Sequence, residues 1–244
     1  LLLTDSNLRK MTGTEEPVET VEAEIVTPTP TPEGNGKKVA IDAGHQAHGN
    51  SEQEPIGPGA SQTKAKVASG TTGRTTGVTE YQLNLDVSLK LRDELEARGY
   101  EVYMIRETND VDISNAERAQ LAAESGADIL VRIHANGSDN TSVAGALTMA
   151  PSTANPYLSQ ELIAECQKLS QCIITTFCAS TGANNQGVYQ TDEMSGLNWC
   201  SIPATIVEMG YMTNPDEDTR MQTAEYQQQM VTGIADGIDQ YFAS

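Results

Sequence analysis

The sequence predicts an α/β domain with a largely parallel sheet and helices on both of its faces. From residue 37 to residue 244, short apolar runs alternate with segments that have the length and amphipathic pattern of helices. This alternation is typical of a sheet whose parallel strands are joined by crossover helices. A chain of 244 residues with 38% hydrophobic residues can bury the core of one large domain.

Residues 1–36 are predicted to be a disordered linker outside that domain. They carry seven acidic and two basic side chains, with a Thr-Pro repeat at residues 27–32. Like charge and low hydrophobicity cannot offset the entropy of ordering the chain, and the repeat favours an extended spacer. Such spacers often separate a domain from an anchor, so we expect a missing N-terminal anchor. The apolar Leu1–Leu3 fits the end of an anchor as well as a cloning remnant.

Five short apolar runs are predicted to form strands, because glycine or polar residues bound each of them. The runs are Val39–Ile41, Tyr100–Ile105, Asp128–Ile133, Gly145–Met149 and Ala204–Val207. The stretch from Gln46 to Val78 is rich in glycine, serine and threonine, and it is predicted to be a loop.

Five segments carry the start signals of helices. They cover residues 79–99, 114–125, 155–178, a short stretch from 214, and 223–242. Thr79 with Gln82, and Ser114 with Glu117, have the spacing of a capping box. An Asn-Pro pair begins each of the next two helices, which places proline in the first helical turn.

Composition excludes two classes of function. The chain has 34 acidic and 15 basic residues, a net charge of −19, whereas a nucleic-acid binder needs clustered lysine and arginine. Four cysteines without CxxC spacing argue against a cysteine-rich zinc site and are predicted to be buried free thiols. They are Cys166, Cys172, Cys178 and Cys200. No apolar run reaches the roughly 20 residues that span a bilayer.

Three predicted strands end in side chains with metal or proton chemistry. The chain reads Asp42-Ala43-Gly44-His45 after one strand, His134-Ala135-Asn136 after another, and Glu208-Met209-Gly210 after a third. We expect these ends to converge, because sites of open α/β sheets lie beyond the carboxyl ends of the strands. Glu80 is a further candidate, although alone it fits an acid placed at a helix N-terminus.

Two imidazoles and one carboxylate suit a catalytic zinc ion that keeps one position for water. A second carboxylate could then move a proton, and Glu208 follows an apolar run where a carboxylate needs a partner or a metal. The chain has three histidines. The residues alone leave both His45 and His48 open as the partner of His134, although His48 lies in a glycine-rich loop and is the weaker candidate.

Six segments match a known family in their order and spacing. They are VAIDAGH (39–45), TEYQLNL (79–85), Tyr100–Arg106, ERAQLA (117–122), ADILVRIHAN (127–136) and PATIVEMGYMTNP (203–215). Together they resemble the zinc-dependent N-acetylmuramoyl-L-alanine amidases of bacteria, the amidase 3 family. The resemblance covers residues 37–244, and it implies one catalytic domain with a mixed, mostly parallel twisted sheet.

The resemblance also implies the site. One Zn²⁺ per chain would be held by His45, Glu80 and His134, and Glu208 would be the catalytic residue. Asp42 and Asn136 are predicted to orient His45 and His134, with local turn hydrogen bonding as the alternative.

The implied function is peptidoglycan hydrolysis. Water activated by zinc, with Glu208 as general base, would cleave the amide between the lactyl group of N-acetylmuramic acid and the L-alanine of the stem peptide. The partner would be peptidoglycan, and the protein would be an exported autolysin of the bacterial cell wall, with residues 1–36 as an optional membrane tether. Two alternatives stay open: a catalytically dead peptidoglycan-binding module of the same fold, and a zinc peptidase that acts within the stem peptide.

A basic stretch lies between the first two implied ligands. It contains Lys64, Lys66 and Arg74 and has no acid after Glu54. We expect these cations to receive carboxylates of a peptide stem, against the alternative of a solvated loop.

Overall fold

The structure is a computed structural model that describes residues 34–244. The predicted linker of residues 1–36 lies outside the described residues except for residues 34–36, which are exposed. Its order and its boundary with the domain stay predictions.

The described chain forms eight strands and six helices. The strands are β1 (Lys38–Ala43), β2 (Asn50–Pro55), β3 (Thr63–Val67), β4 (Glu101–Met104), β5 (Ile129–Asn136), β6 (Ala146–Ala150), β7 (Asn185–Gln190) and β8 (Ala204–Tyr211). The helices are α1 (Glu80–Ala97), α2 (Asn115–Glu124), α3 (Gln160–Thr181), α4 (Ser195–Asn198), α5 (Pro215–Met221) and α6 (Ala224–Ala243).

Six of the strands form one sheet in the order β4-β1-β5-β8-β6-β7. Strand β6 runs antiparallel to β8, and the other neighbours are parallel. The mixed, mostly parallel sheet predicted from the resemblance is therefore confirmed. The carboxyl ends of the central strands β1, β5 and β8 lie side by side, and Asp42, Arg132 and Ile206 are register partners across them.

The core has two layers because side chains alternate between the faces of each strand. One face of β5 presents Ile129, Val131 and Ile133 to the cluster that includes α1, α3 and α6. The opposite face presents Leu130, followed along the strand by Arg132 and His134, and packs with α2 and α4. Helices thus cover both faces, and the polar positions of the central strands lie on the side of α2 and α4.

The predicted loop of residues 46–78 contains a hairpin, so this prediction is wrong for β2 and β3. Both strands are rich in polar and charged residues, and they lack the apolar alternation that marks a half-buried strand. The hairpin is held from outside: Trp199 Nε1 donates to the carbonyl of Pro55 at 2.8 Å, and Asn115 Nδ2 donates to that of Lys66 at 2.9 Å. Contacts distant in sequence therefore order it.

One of the two predicted capping boxes is present. Ser114 and Glu117 exchange the reciprocal bonds at 3.1 and 2.7 Å that begin α2. Thr79 precedes α1 without a side-chain cap, and Gln82 instead bonds to Asp86 and to Asn109. The helix start was predicted correctly there, but its mechanism was not.

Of the two Asn-Pro pairs that were predicted to begin helices, one does so and the other does not. Asn214 caps α5 by accepting from two backbone amides of its first turn, as predicted. Helix α3 begins later than predicted, after Ser159, whereas Asn155 donates its amide to Asp192 and Asn198 at 2.9 Å. A loop hydrogen-bond network outcompetes the cap at this position.

The four cysteines are free thiols, as predicted, and two of them are buried. Those two are Cys166 and Cys200, while Cys172 and Cys178 are half-buried. No helix in the described part of the chain combines the length and apolar character needed to cross a bilayer.

Candidate active site

Three side chains from separate segments meet at the carboxyl edge of the sheet. Glu80 Oε1 lies 3.1 Å from His45 Nε2 and 3.2 Å from His134 Nδ1. The two imidazole rings are 4.7 Å apart, edge to face. One ligand atom from each residue lies within 4.8 Å of the others. The structure thus brings together the three implied metal ligands.

Glycine at two positions makes this approach possible. A side chain at Gly44 would overlap the His134 ring, and one at Gly70 would press on Glu80 and His45. His45 itself has a φ of +61°, the one positive value among the described non-glycine residues. Such a backbone costs about 1–3 kcal/mol and clusters at functional sites.

The His45 ring is oriented so that an electron pair faces Glu80. Its Nδ1 donates to the carbonyl of Ala68 at 2.8 Å, because a carbonyl can only accept. In the neutral ring this leaves Nε2 without a proton, and its lone pair faces a carboxylate oxygen. Two acceptors this close need a proton or a cation between them.

Glu80 is fixed at the start of α1 as an ionised carboxylate. It accepts from the backbone amides of Thr71 at 2.9 Å and Ala135 at 3.2 Å, and from the side chain of Asn84 at 3.3 Å. Burial acts to raise its pKa, but electrostatic interactions with the rings of His134 and His45 overcome this and hold the pKa below its usual value. The helix N-terminus also favours the charged form.

His134 lies at the end of β5 as a neutral ring. Burial lowers its pKa to about 4, against the opposing hydrogen bond with Glu80. Its Nε2 is buried without a hydrogen-bond partner among the described residues. A neutral imidazole is the form that ligates metals, and Nδ1, which faces Glu80, is the nitrogen placed beside the other two candidate ligands.

The donor set fits a zinc ion. With zinc–ligand bonds of about 2.0–2.1 Å and tetrahedral angles, ligand atoms lie roughly 3.3 Å apart. The two Glu80 distances of 3.1 and 3.2 Å are close to this value. Three protein ligands with a cleft beside them also leave a position for a further ligand, the pattern of catalytic rather than structural zinc.

Glu208 lies opposite His134 on the neighbouring strand β8. It is 8% exposed, and its Oε2 has no hydrogen-bond partner among residues 34–244. Burial raises its pKa to about 8, the charge of Glu80 adds to this, and Arg132 opposes it. A carboxyl group in a cleft whose pKa lies near neutral pH is suited to accepting and releasing protons.

Asp42 does not contact either imidazole, which corrects the direct role predicted for it. Its carboxylate is fully buried and accepts from Arg118 Nη1 and Arg132 Nε, both at 2.7 Å. Arg118 also donates to the carbonyl of His45 at 3.1 Å. Asp42 therefore acts on His45 only through Arg118 and the backbone.

Three arginines hold the segment before His45, and sequence reasoning missed all of them. Arg106 and Arg118 both donate to the carbonyl of Ala43, at 2.7 and 3.0 Å, and Arg106 reaches that of Gly44 at 3.0 Å. The third, Arg132, interrupts an apolar strand, and this charge in a buried run was the signal available in the sequence.

Asn136 has local hydrogen bonds rather than a contact with the His134 ring. Its side chain accepts from the backbone of Gly137 at 2.8 Å. Of the two alternatives weighed for this residue, the structure shows the turn hydrogen bond.

The three predicted basic residues divide into different environments. Lys64 lines the cleft beside His45, and its Nζ donates to the carbonyl of Glu193 at 3.2 Å. Lys66 pairs with Glu52 at 2.7 Å on the adjoining strand. Arg74 is exposed and does not line the cleft. Of these three residues, Lys64 alone lines the cleft.

His48 is exposed and lies outside the metal-ligand group, on a separate surface depression with Asp110 and Asp112. The structure therefore places His45, and not His48, beside Glu80 and His134.

The cleft has a volume of about 240 Å³. His45, His134, Glu208 and Arg132 line it on the sheet side. Lys64 and Met194 line it as well, from β3 and from the residues before α4. A cavity of this kind, with few polar groups against apolar walls, is typical of a small-molecule or peptide site.

Comparison with known proteins agrees with this geometry. The family model Amidase_3, described as N-acetylmuramoyl-L-alanine amidase, matches residues 39–240. The chain is 27% identical to the N-acetylmuramoyl-L-alanine amidase LytC of Bacillus subtilis over 68% of its own length, and it spans 32% of LytC. It is 25% identical to the N-acetylmuramoyl-L-alanine amidase Rv3717 of Mycobacterium tuberculosis, over 86% of this chain and 88% of Rv3717.

A solved structure shows the same fold. The N-acetylmuramyl-L-alanine amidase Ami1 of Mycobacterium smegmatis superposes with a TM-score of 0.77 at 26% identity. The match covers 86% of this chain and 99% of Ami1. With the family model covering most of the domain, the chain belongs to the Amidase_3 family of N-acetylmuramoyl-L-alanine amidases.

Proposed function

We propose that this protein is a zinc-dependent N-acetylmuramoyl-L-alanine amidase that hydrolyses the amide between the lactyl group of N-acetylmuramic acid and L-alanine. One observation carries the proposal: His45, Glu80 and His134 form a metal-ligand set, and Glu208 lies in the same cleft, opposite His134. A binding module has no need of a buried carboxyl group beside such a set.

The chemistry that zinc supplies when bound is polarisation of an amide carbonyl and a lowered pKa of water. His45 and His134 would each offer one nitrogen, and Glu80 would offer Oε1, the atom nearest to both rings. Hydrogen bonds from Thr71 and Ala135 keep that carboxylate in place.

Glu208 moves the proton in this proposal. Its carboxylate accepts a proton from the attacking water as the water oxygen bonds to the amide carbon. It then delivers this proton to the alanine nitrogen as the carbon–nitrogen bond breaks. Its Oε2, buried and unpartnered among the described residues, is free for both transfers.

Lys64 contributes a positive charge at the rim of the cleft. It is the one member of the predicted basic group that lines the cavity. Since its Nζ donates only to the Glu193 carbonyl, it retains capacity to meet an anionic group of the substrate.

The substrate and the bond are tested by product analysis. Purified peptidoglycan treated with the zinc-loaded protein should yield new L-alanine amino termini and free lactyl carboxylates. Amino termini on another residue would favour the peptidase alternative. A zinc-loaded protein that binds peptidoglycan without releasing amines would favour the binding module.

We also propose that the protein works outside the membrane as a cell-wall hydrolase, with residues 1–36 as a tether. The relatives named as amidases and the acidic, Thr-Pro-containing composition of that segment support this proposal. Fractionation of the native host tests it, because a cytoplasmic location would contradict export.

A further inference from the structure

The floor of the cleft contains a buried guanidinium that the hydrolytic machinery does not use. Arg132 is 2% exposed, yet it lines the cavity. Its Nε donates to Asp42 and its Nη2 donates to Asn115, each at 2.7 Å. Its Nη1 has no acceptor among residues 34–244. One nitrogen of a fixed, charged fork is therefore left for a ligand.

Around this nitrogen, the positive charges of the paired side chains outnumber the negative ones. Asp42 is shared between Arg132 and Arg118, so one carboxylate faces two guanidinium groups. Burying an uncompensated charge is costly unless it finds a partner. Glu208 lies further along, two residues from the register partner of Arg132, which is the apolar Ile206. An anion that enters the cleft would supply the second negative charge for these two guanidinium groups.

The chain leaves space for the fork on the cleft side. A side chain at Gly196 would overlap Nη1 of Arg132. Gly196 and Ser195 belong to the wall of the same cavity. Glycine at the start of α4 thus leaves room for Nη1 beside the wall of the cavity.

The separation between Arg132 and His134 along β5 indicates which residue of the substrate Arg132 can reach. Arg132 and His134 lie on the same face of β5, two residues apart, which corresponds to about 6.6 Å along a strand. An extended peptide spans roughly 3.3–3.6 Å per residue. A substrate whose scissile amide lies at His134 would therefore place the second residue of its peptide near Arg132.

Resting on the proposed function, we propose that Arg132 is a specificity-determining residue that binds a free carboxylate on the second residue of the stem peptide. A carboxylate adds the attraction of an ion pair to its hydrogen bond with a guanidinium, whereas an amide oxygen at the same place carries no net charge and bonds more weakly. The protein would thus discriminate between stems with a free and an amidated carboxylate.

The test compares two muramyl dipeptides, MurNAc-L-Ala-D-isoglutamate and MurNAc-L-Ala-D-isoglutamine, each with its γ-carboxyl capped as the methylamide so that only the α-carboxyl differs. The wild type should hydrolyse both, with kcat/KM about tenfold or more higher for the isoglutamate form. In Arg132→Lys, which keeps the charge beside Asp42 but not the fork, the ratio should fall towards one, mainly through KM. Gly196→Ala, which displaces the guanidinium without changing any charge, should have the same effect.

A matched control exchanges one cation for another at the other end of the sheet. Lys37→Arg changes an exposed residue directly before β1, and it should leave the ratio unchanged. If Arg132 only supports Asp42, both variants should lower kcat equally on both substrates and keep the wild-type ratio. That result would overturn the proposal.

A binding measurement separates this proposal from the proposed function. The free dipeptides L-Ala-D-isoglutamate and L-Ala-D-isoglutamine, with the γ-carboxyl capped in the same way, can be titrated into the protein by calorimetry, without any hydrolysis. Tighter binding of the acidic dipeptide, lost in both variants, supports the carboxylate site even if neither muramyl substrate is cleaved. Equal binding of the two dipeptides by the wild type overturns the site even if hydrolysis is observed.

Discussion

At the scale of single residues, the site depends on a carboxyl group whose pKa is moved close to neutral pH by its surroundings. Glu208 is buried, lies near the charge of Glu80, and has a pKa raised to about 8. The two histidines His45 and His134 flank a different carboxylate, Glu80, whose pKa is lowered. Two glutamates a short distance apart thus have opposite protonation preferences, which separates the metal-binding role from the proton-transfer role.

Glu208→Gln should lower kcat by about 10²–10⁴-fold, the usual contribution of a general base. Zinc content should stay at one ion per chain, because Glu208 is not in the ligand group. Single-turnover hydrolysis together with elemental analysis measures both quantities. Retention of full activity in the zinc-loaded variant would contradict the role assigned to Glu208.

Gly44→Ala should weaken zinc binding by about tenfold or more, as expected when the support of a ligand is disturbed. The added methyl group overlaps the His134 ring and must displace it. Competition with a chromogenic chelator measures the affinity. Gly34→Ala is the control, because its new methyl group meets only ordinary contact at 3.8 Å. Equal zinc affinity in both variants would refute the packing argument.

At the scale of elements, the hairpin of β2 and β3 is held by side chains of a distant segment. Asn198 is 1% exposed, and its amide donates to the carbonyls of Ile56 at 2.9 Å and Asp192 at 2.8 Å. Since Lys64 lies on β3, these bonds also fix one wall of the cleft.

Asn198→Ala should therefore lower the free energy of unfolding by about 1–3 kcal/mol, because buried carbonyls lose their donors. It should also raise KM by loosening the wall of the cleft. Urea denaturation and steady-state kinetics measure the two effects. Gln171→Ala on the exposed side of α3 is the control and should change neither. A stability loss without any change in KM would show that the hairpin does not shape the site.

The same elements show which features could be predicted from sequence. Strands β1, β5 and β8 were predicted because each contains a short apolar run, and such a run is a local signal. The ligand assignment depended on the family resemblance, since spacing alone did not separate His45 from His48. The hairpin and the arginine network could not be predicted, because their stability comes from partners such as Trp199 and Asp42 that are far apart in sequence.

At the scale of the whole molecule, acid sensitivity follows from Asp42. Burial acts to raise its pKa, but the ion pairs with Arg118 and Arg132 overcome this and hold the pKa well below its usual value. A group with a depressed folded pKa stabilises the native state above its unfolded pKa, about 3.9 for aspartate. This stability is lost as the pH falls from about 4 towards the lower folded value.

Asp42→Asn should lower the free energy of unfolding at pH 7 by about 3–5 kcal/mol, the range for breaking a buried ion pair. The variant should also show a smaller further loss between pH 5 and pH 3 than the wild type, since the titrating group is gone. Chemical denaturation across this pH range measures both. Parallel pH profiles for the two proteins would exclude Asp42 as a source of acid sensitivity.

A metal held by the three proposed ligands would bind only the folded chain. His45, Glu80 and His134 come from the ends of β1 and β5 and from the start of α1, so they meet only when non-local strand pairing is complete. An unfolded chain offers no such trio, and a cation bound only to the native state at 100 times its Kd adds about 2.7 kcal/mol of stability. Metal availability during maturation would thereby set the fraction of correctly folded molecules as well as their activity.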